Sequence, residues 1–181
     1  MSTGPSAPAA AAPRPARPTR PPVPPLPEFE LLDQTHRAAL ETLKDFEQLL
    51  AHLGEHGPDE TARASAGKIM DFFAGPARTH HADEERLVFP SLLNSSDVEL
   101  VQHVRRLQQD HGWLEEDWRE LAPQIEAIAK GYNWYDLAIL QHALPVFTAL
   151  YHEHIALEET VVYPEAKRSR MAELSGRKPK A

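Results

Sequence analysis

Two short segments of the chain repeat one pattern of histidine, glutamate and proline. HHADEERLVFP runs from His80 to Pro90, and HIALEETVVYP runs from His154 to Pro164. In each, a Glu stands four residues after the first His, a second Glu follows directly, and an aromatic residue precedes Pro. Because imidazole nitrogens and carboxylate oxygens are common metal donors, the pattern indicates metal chemistry.

The repeat extends beyond these segments and predicts two similar pairs of helices. An offset of 74 aligns Phe73, His80, Glu84, Glu85, Phe89 and Pro90 with Phe147, His154, Glu158, Glu159, Tyr163 and Pro164, and His36 and His111 are 75 apart. If helix pairs repeat in this way, matching side chains face each other at the centre of the fold.

Helical spacing places four histidines among apolar residues of core-facing stripes. They are His36, His80, His111 and His154. Burying four imidazoles and at least two carboxylates is costly unless something pairs with them. A metal centre explains the set, whereas the alternative, histidines that are each satisfied in the core or at the surface, does not explain their matched register.

The repeat also separates candidate ligands from their neighbours. His81 aligns with Ile155, and His152 aligns with Arg78, so neither has a counterpart histidine. The sequence therefore predicts His80, and not His81, as the ligand of its segment.

The number of donors favours two irons. Four imidazoles and two or three carboxylates exceed one tetrahedral zinc site, and a chain with no cysteine has no thiolate for copper(I) or structural zinc. Two six-coordinate irons, joined by two bridging carboxylates and an oxo or hydroxo bridge, use this set and leave positions for a small ligand. Ferritin-like sites use Glu-x-x-His, which does not occur here.

Long helices must position these residues. The periodicity predicts a first helix that ends near EHGPD, a second from about Asp59 to Leu93 bent at Gly75, a third from Asp97 to about Lys130, and a fourth from NWYD to about Lys167. Short loops between long helices favour an all-α, antiparallel up-down-up-down four-helix bundle built from two repeated helix pairs.

The two ends of the chain differ from this core. Residues 1–27 hold ten of the 17 prolines and predict a disordered Pro/Ala-rich tail, residues 28–167 form the bundle, and residues 168–181 predict a basic, flexible tail. Since the ends carry much of the basic charge in a chain of net charge −8, the core is acidic, which argues against nucleic-acid binding through it. No apolar run suits a membrane span or signal peptide, so we expect a cytoplasmic protein.

The combined motifs resemble those of the hemerythrin-like, or HHE cation-binding, family. HHADEERLVFP and HEHIALEETVVYP carry the likeness, together with His36 and His111, across roughly residues 29–167. The resemblance implies a four-helix bundle with a binuclear non-haem iron centre (Fe2+/Fe3+). His36, His80, His111 and His154 would be terminal ligands, and Glu84 and Glu158 would be bridging ligands.

Two positions depart from the oxygen-carrying hemerythrins. Those proteins have a further His one turn after the third-helix ligand, where this chain has Glu115, and their last carboxylate is an Asp at a spacing of five residues rather than Glu158 at four. We expect Glu115 to be a seventh ligand. A more anionic ligand set favours ferric iron and argues against simple reversible oxygen carriage.

The predicted function is therefore that of a binuclear non-haem iron protein that reacts with O2, NO or peroxide in redox sensing or stress defence. An iron-binding module that stores or donates iron without turnover is the main alternative, and a structural bundle that binds no metal is the third. The sequence does not decide whether the protein is an enzyme.

Overall fold

The structure, a computed structural model, describes residues 26–176 and is helical throughout its ordered elements, with no strand in that range. Four long helical stretches make up the fold. Their elements are α1 (Pro27–His56), α2 (Glu60–Ala74), α3 (Pro76–Asp83), a π-helix (Glu84–Val88), α4 (Phe89–Leu93), α5 (Val98–Ala129), α6 (Leu137–Leu157), a second π-helix (Glu158–Val162) and α7 (Tyr163–Leu174).

Aspartates cap the N-termini of three of these helices. The side chain of Asp59 accepts a hydrogen bond from the backbone N–H of Ala62, Asp97 accepts from the start of α5, and Asp136 accepts from the start of α6. Each carboxylate satisfies backbone donors that have no partner within the helix. After α5, Gly131 adopts a positive φ of 73°, which glycine enters without steric cost. The third helix predicted from Asp97 to about Lys130 is thus confirmed, with Asp97 as its N-cap and Gly131 just after its end.

The helices pack as a bundle, with α1 against α2 and α6, and α5 against α2 and α6. Buried apolar side chains form two separate clusters. The larger includes Phe46, Phe73 and Phe147, and the smaller includes Phe89 and Leu107. The residues of the sequence motifs lie along the chain between the members of these clusters, so the candidate site is a polar layer with an apolar cluster on each side.

The all-helical fold is confirmed, while the antiparallel order and the repetition of helix pairs stay predictions. The second stretch is interrupted at Gly75, as expected from Gly75-Pro76, and α5 and α6 each contain an internal proline. The last stretch continues to Leu174, beyond the expected end near residue 167. Of the tail predicted at residues 1–27, residues 1–25 lie outside the described residues, and α1 begins at Pro27. Residues 177–181 of the tail predicted at residues 168–181 also lie outside them. Within residues 26–176, the helices are too short or too polar to cross a membrane.

Candidate metal centre

A π-helical turn begins at each of the two motif glutamates. The backbone N–H of Phe89 donates to the carbonyl of Glu84, and that of Tyr163 donates to the carbonyl of Glu158. In both segments the residue after the aromatic one is a proline, which has no N–H to continue the α-helical pattern. Single π-helical turns inside α-helices occur often at functional sites. Here they place both carboxylates in the interior, where neither side chain is exposed to solvent.

The first group of donors comes from three of the four helical stretches: the first, the second and the fourth. His36, His80, Glu84 and Glu158 each bring one nitrogen or oxygen atom within 4.8 Å of the others, and all four are buried. The Nε2 atom of His36 lies 3.1 Å from Oε2 of Glu158, and Nε2 of His80 lies 3.4 Å from Oε1 of Glu84. These side chains surround one point with mixed nitrogen and oxygen donors.

A second group shares Glu84 with the first. Its members are His81, Glu84, His111 and His154, again with one donor atom each within 4.8 Å of the others. Nε2 of His111 lies 3.4 Å from Oε2 of Glu84, while Oε1 of the same carboxylate faces His80. Because its two oxygens face different groups, the Glu84 carboxylate has the orientation of a bridge between two metal positions.

Many of these donor atoms have no hydrogen-bond partner in the described part of the chain. They include both ring nitrogens of His80 and of His154, Nε2 of His111, Oε2 of Glu84 and both carboxylate oxygens of Glu158. Buried polar atoms are nearly always hydrogen-bonded, and a buried atom without a partner costs about 1–3 kcal/mol. A set of imidazole and carboxylate atoms left unpaired around two points therefore fits metal ions as the missing partners.

Carboxylates outside the two groups orient two of the histidines. Nδ1 of His36 lies 3.1 Å from Glu159, and Nδ1 of His111 lies 2.9 Å from Glu85. Nδ1 of His154 lies 3.8 Å from the buried Asp110, which is too far for a hydrogen bond. A carboxylate on Nδ1 keeps the proton on that nitrogen and leaves the Nε2 lone pair for a metal, as in many metal sites.

Burial keeps the imidazoles in the form that binds metals. It lowers the pKa of His80 from 6.5 to about 4, with the neighbouring Glu84 opposing the shift. Burial also lowers the pKa of His81 well below its ordinary value and lowers that of His154. Since only the neutral ring has a free lone pair, these three side chains are ready to coordinate at neutral pH.

The two buried carboxyls differ in their protonation. Burial and the adjacent charge of Glu84 raise the pKa of Glu158 well above its ordinary value. Burial alone would raise the pKa of Glu84 as well, but the imidazoles of His111 and His80 lower it below the ordinary value. In the metal-free protein these shifts favour the ionised form of Glu84 and the protonated form of Glu158, and cations at the two points would favour ionisation of both.

Six of the seven residues predicted from the sequence lie in the two groups, and Glu115 does not. The Glu115 carboxylate is partly exposed, lies 3.1 Å from the guanidinium of Arg78, and is 3.8 Å from Arg119. Glu115 stands one turn after His111 on α5, but it lies at the edge of the bundle. There its carboxylate pairs with basic side chains and does not join a donor group. The structure thus gives Glu115 an ion pair where the sequence predicted a ligand.

His81 shows the opposite difference, since the sequence excluded it and the structure places it in the second group. Its ring stacks on that of His111 with centroids 4.2 Å apart. The exclusion relied on Ile155, the aligned residue, which packs in the larger apolar cluster. The two halves of the chain therefore differ at this position, and a comparison of the halves alone cannot reveal a ligand that only one of them has.

Other residues of the site were not identified from the sequence. The repeat showed the second Glu of each motif, Glu85 and Glu159. It did not show that Glu85 contacts His111 and that Glu159 contacts His36. Asp110, fully buried beside the site, gave no signal because no residue repeats it. Tyr163 was noted only as an aromatic residue before proline, yet its hydroxyl donates a hydrogen bond to Glu84.

Comparison with known proteins agrees with this geometry. Residues 28–166 match the family described as the hemerythrin HHE cation binding domain. The chain belongs to this family. An uncharacterised protein of Haemophilus influenzae (strain Rd) is 28% identical over 130 residues, which are 72% of this chain and 73% of that relative. No solved structure matches the chain significantly. Membership of the HHE family and the buried histidine–glutamate cluster together indicate a metal-binding domain.

The metal-free protein should lose stability as the pH falls from 6.5 to about 4, the window set by His80. There the unfolded chain binds protons that the folded chain does not, so lowering the pH favours unfolding. The shift of His80 alone is worth on the order of 3 kcal/mol. The lowered pKa values of His81 and His154 act in the same direction. The raised pKa of Glu158 acts oppositely, because its stabilising effect is present at low pH and is lost as pH rises.

Urea unfolding of the metal-free protein across this window measures the effect. With three imidazoles opposed by one carboxyl, we expect a net loss on acidification. His80→Asn, which keeps a similar shape without the titrating group, should give a shallower slope. A free energy of unfolding that is flat or rises as the pH falls would contradict neutral, buried imidazoles.

Glu115→Gln should leave the metal content unchanged, because the Glu115 carboxylate pairs with Arg78 and lies outside both donor groups. Glu158→Gln makes the same substitution at a buried donor and should weaken metal binding at least about tenfold. Titration of the stripped proteins with ferrous iron under anaerobic conditions compares them. If Glu115→Gln weakened binding as much as Glu158→Gln, Glu115 would be a ligand, as the sequence predicted.

Proposed function

We propose that the two donor groups bind two non-haem irons and that the centre reacts with O2, NO or peroxide in redox sensing or stress defence. The observation that carries this proposal is the set of buried imidazole and carboxylate atoms without hydrogen-bond partners. The absence of cysteine and the mixture of nitrogen and oxygen donors support iron over structural zinc or copper(I).

The residues would divide between two metal positions. His36, His80 and Glu158 would hold one iron, while His81, His111 and His154 would hold the other, and Glu84 would bridge them through its two oxygens. Bound iron supplies one-electron redox chemistry and open coordination positions for small molecules. The protein supplies the fixed geometry, and Glu159 and Glu85 hold the imidazoles of His36 and His111 in the tautomer that coordinates.

The space beside the site supports a small ligand. A cavity of about 10 Å³ is bordered by His80, His81, His154, Tyr151 and Ile155. This is about the minimum volume that holds one water molecule. A larger organic substrate does not fit such a space, and a diatomic gas or a peroxide, each larger than water, fits it only if neighbouring side chains shift slightly.

A second cavity lies near the first. It also measures about 10 Å³ and is lined by His81, Tyr151 and Trp118 together with the ion-paired Arg78 and Glu115. His81 and Tyr151 border both cavities. The second cavity thus lies between the ion pair and the His81 side of the second donor group.

Iron storage or donation is the second candidate function. The burial that excludes large substrates also slows the release of metal, which favours a retained centre over a donor. The two candidates differ in what happens to the iron: a reactive centre keeps it through oxidation, whereas a donor loses it to a weak chelator.

Anaerobically iron-loaded protein should change its optical spectrum on exposure to air, nitric oxide or hydrogen peroxide, and should keep its iron in the presence of a weak chelator. His154→Asn removes a buried donor and should lose both the iron and the spectral changes. His152→Asn, two residues away on the exposed face of α6, is the matched control and should behave like the original protein.

Two results would contradict the proposal. A folded protein that takes up no iron would rule out the metal centre. A protein that takes up iron, shows no spectral response to any of the three reagents and yields the metal readily to the chelator would favour storage.

A further inference from the structure

Tyr163 places a phenol beside the first donor group. It follows the π-helical turn of Glu158 and is almost fully buried, with 1% of its surface exposed. Its hydroxyl donates a hydrogen bond to Oε1 of Glu84 and lies 3.3 Å from Nε2 of His36. These two acceptor atoms belong to the group that would hold one iron, so the phenol oxygen is directed at a metal position.

The spacing of these atoms is that of ligands on one metal ion. Metal–ligand bonds of about 2.1 Å at right angles place neighbouring donors about 3 Å apart. Nε2 of His36 is 3.1 Å from Glu158 and 3.3 Å from the phenol oxygen of Tyr163, and Nε2 of His80 is 3.4 Å from Glu84. The phenol oxygen therefore occupies a place in this group equivalent to those of the carboxylate oxygens.

At the matching position, the second donor group has no such oxygen. The residue that aligns with Tyr163 in the repeat is Phe89, whose ring stacks on His111 with centroids 5.6 Å apart. The ring of Tyr163 likewise stacks on His36, with centroids 5.3 Å apart. The two aromatic residues pack on their histidines in a similar way, and they differ in the hydroxyl that only Tyr163 carries.

We propose that the phenol oxygen of Tyr163 coordinates the metal held by His36 and His80, which makes this position different in chemistry from the one held by His111 and His154. The inference rests on the proposed function, because it requires that the cluster holds iron. On coordination the phenol proton is released to solvent and the oxygen binds as phenolate. An added anionic oxygen stabilises ferric over ferrous iron at this position, so the two irons differ in how readily each is oxidised.

Resonance Raman and visible absorption spectra of the iron-loaded, air-oxidised protein test the assignment. A phenolate bound to ferric iron gives a charge-transfer band, and excitation in that band enhances the vibrations of the tyrosine ring. We expect both signals in the original protein, with the vibrations shifting when the protein is grown on ring-deuterated tyrosine. Tyr163→Phe should remove both signals while the iron content stays at about two per chain.

Tyr151→Phe is the matched control, since Tyr151 is also buried close to the donor groups but makes no hydrogen bond to a predicted ligand. It should keep the charge-transfer band and the tyrosine vibrations. If the band were lost in Tyr151→Phe and kept in Tyr163→Phe, the assignment to Tyr163 would be overturned.

Iron analysis of each sample separates the possible failures. A protein that binds iron but shows no enhanced tyrosine vibrations overturns the Tyr163 assignment, leaves the iron centre intact, and makes the phenol a hydrogen-bond donor to Glu84 only. This result is read from the original protein, so it holds even if Tyr163→Phe does not fold. A folded original protein without iron overturns both the proposed function and this inference.

Discussion

The rest of the structure depends on a layer of imidazoles and carboxylates that lies between two apolar clusters. Many polar atoms of this layer have no hydrogen-bond partner in the described part of the chain. Water is excluded from the layer by the side chains around Phe73 and Phe147 on one side and around Phe89 on the other. Within the layer burial lowers the pKa of three histidines, His80, His81 and His154. Such a layer destabilises the metal-free fold unless ions occupy it, so folding and metal binding are linked.

The carboxylates that lie outside the donor groups, beside their histidines, differ in how exposed they are. Glu159 and Glu85 are each about half exposed and contact the outward nitrogens of His36 and His111. They fix those rings without adding charge to the interior, whereas Asp110 lies buried beside His154. The hydroxyl of Tyr163 and the ring of His81 each occur on one side only. The two donor groups are thus alike in their buried imidazoles and in the Glu84 carboxylate that they share, and they differ in the other groups beside them.

Much of this could be predicted from the sequence because the relevant signals are local or repeated. Helical periodicity, the capping residue Asp97 and the glycine after α5 are set by neighbouring residues, and the structure agrees with them. The repeat identified the glutamates that the structure places in the donor groups. The ion pair of Glu115 and the inclusion of His81 were not predictable in this way, because they depend on which side chains of other helices lie opposite. Arg78 is far from Glu115 in sequence, and the rings of His81, on α3, and His111, on α5, meet only in the folded bundle.

Anomalous X-ray diffraction from crystals of the iron-loaded protein, measured at the iron absorption edge, tests the central claim most directly. The account predicts two iron peaks in each chain, one among His36, His80, Glu84 and Glu158 and the other among His81, Glu84, His111 and His154, with Glu84 in contact with both. It also predicts that Glu115 remains on Arg78. A single peak, peaks outside the buried layer, or no iron in a layer that keeps its unpaired atoms would contradict it.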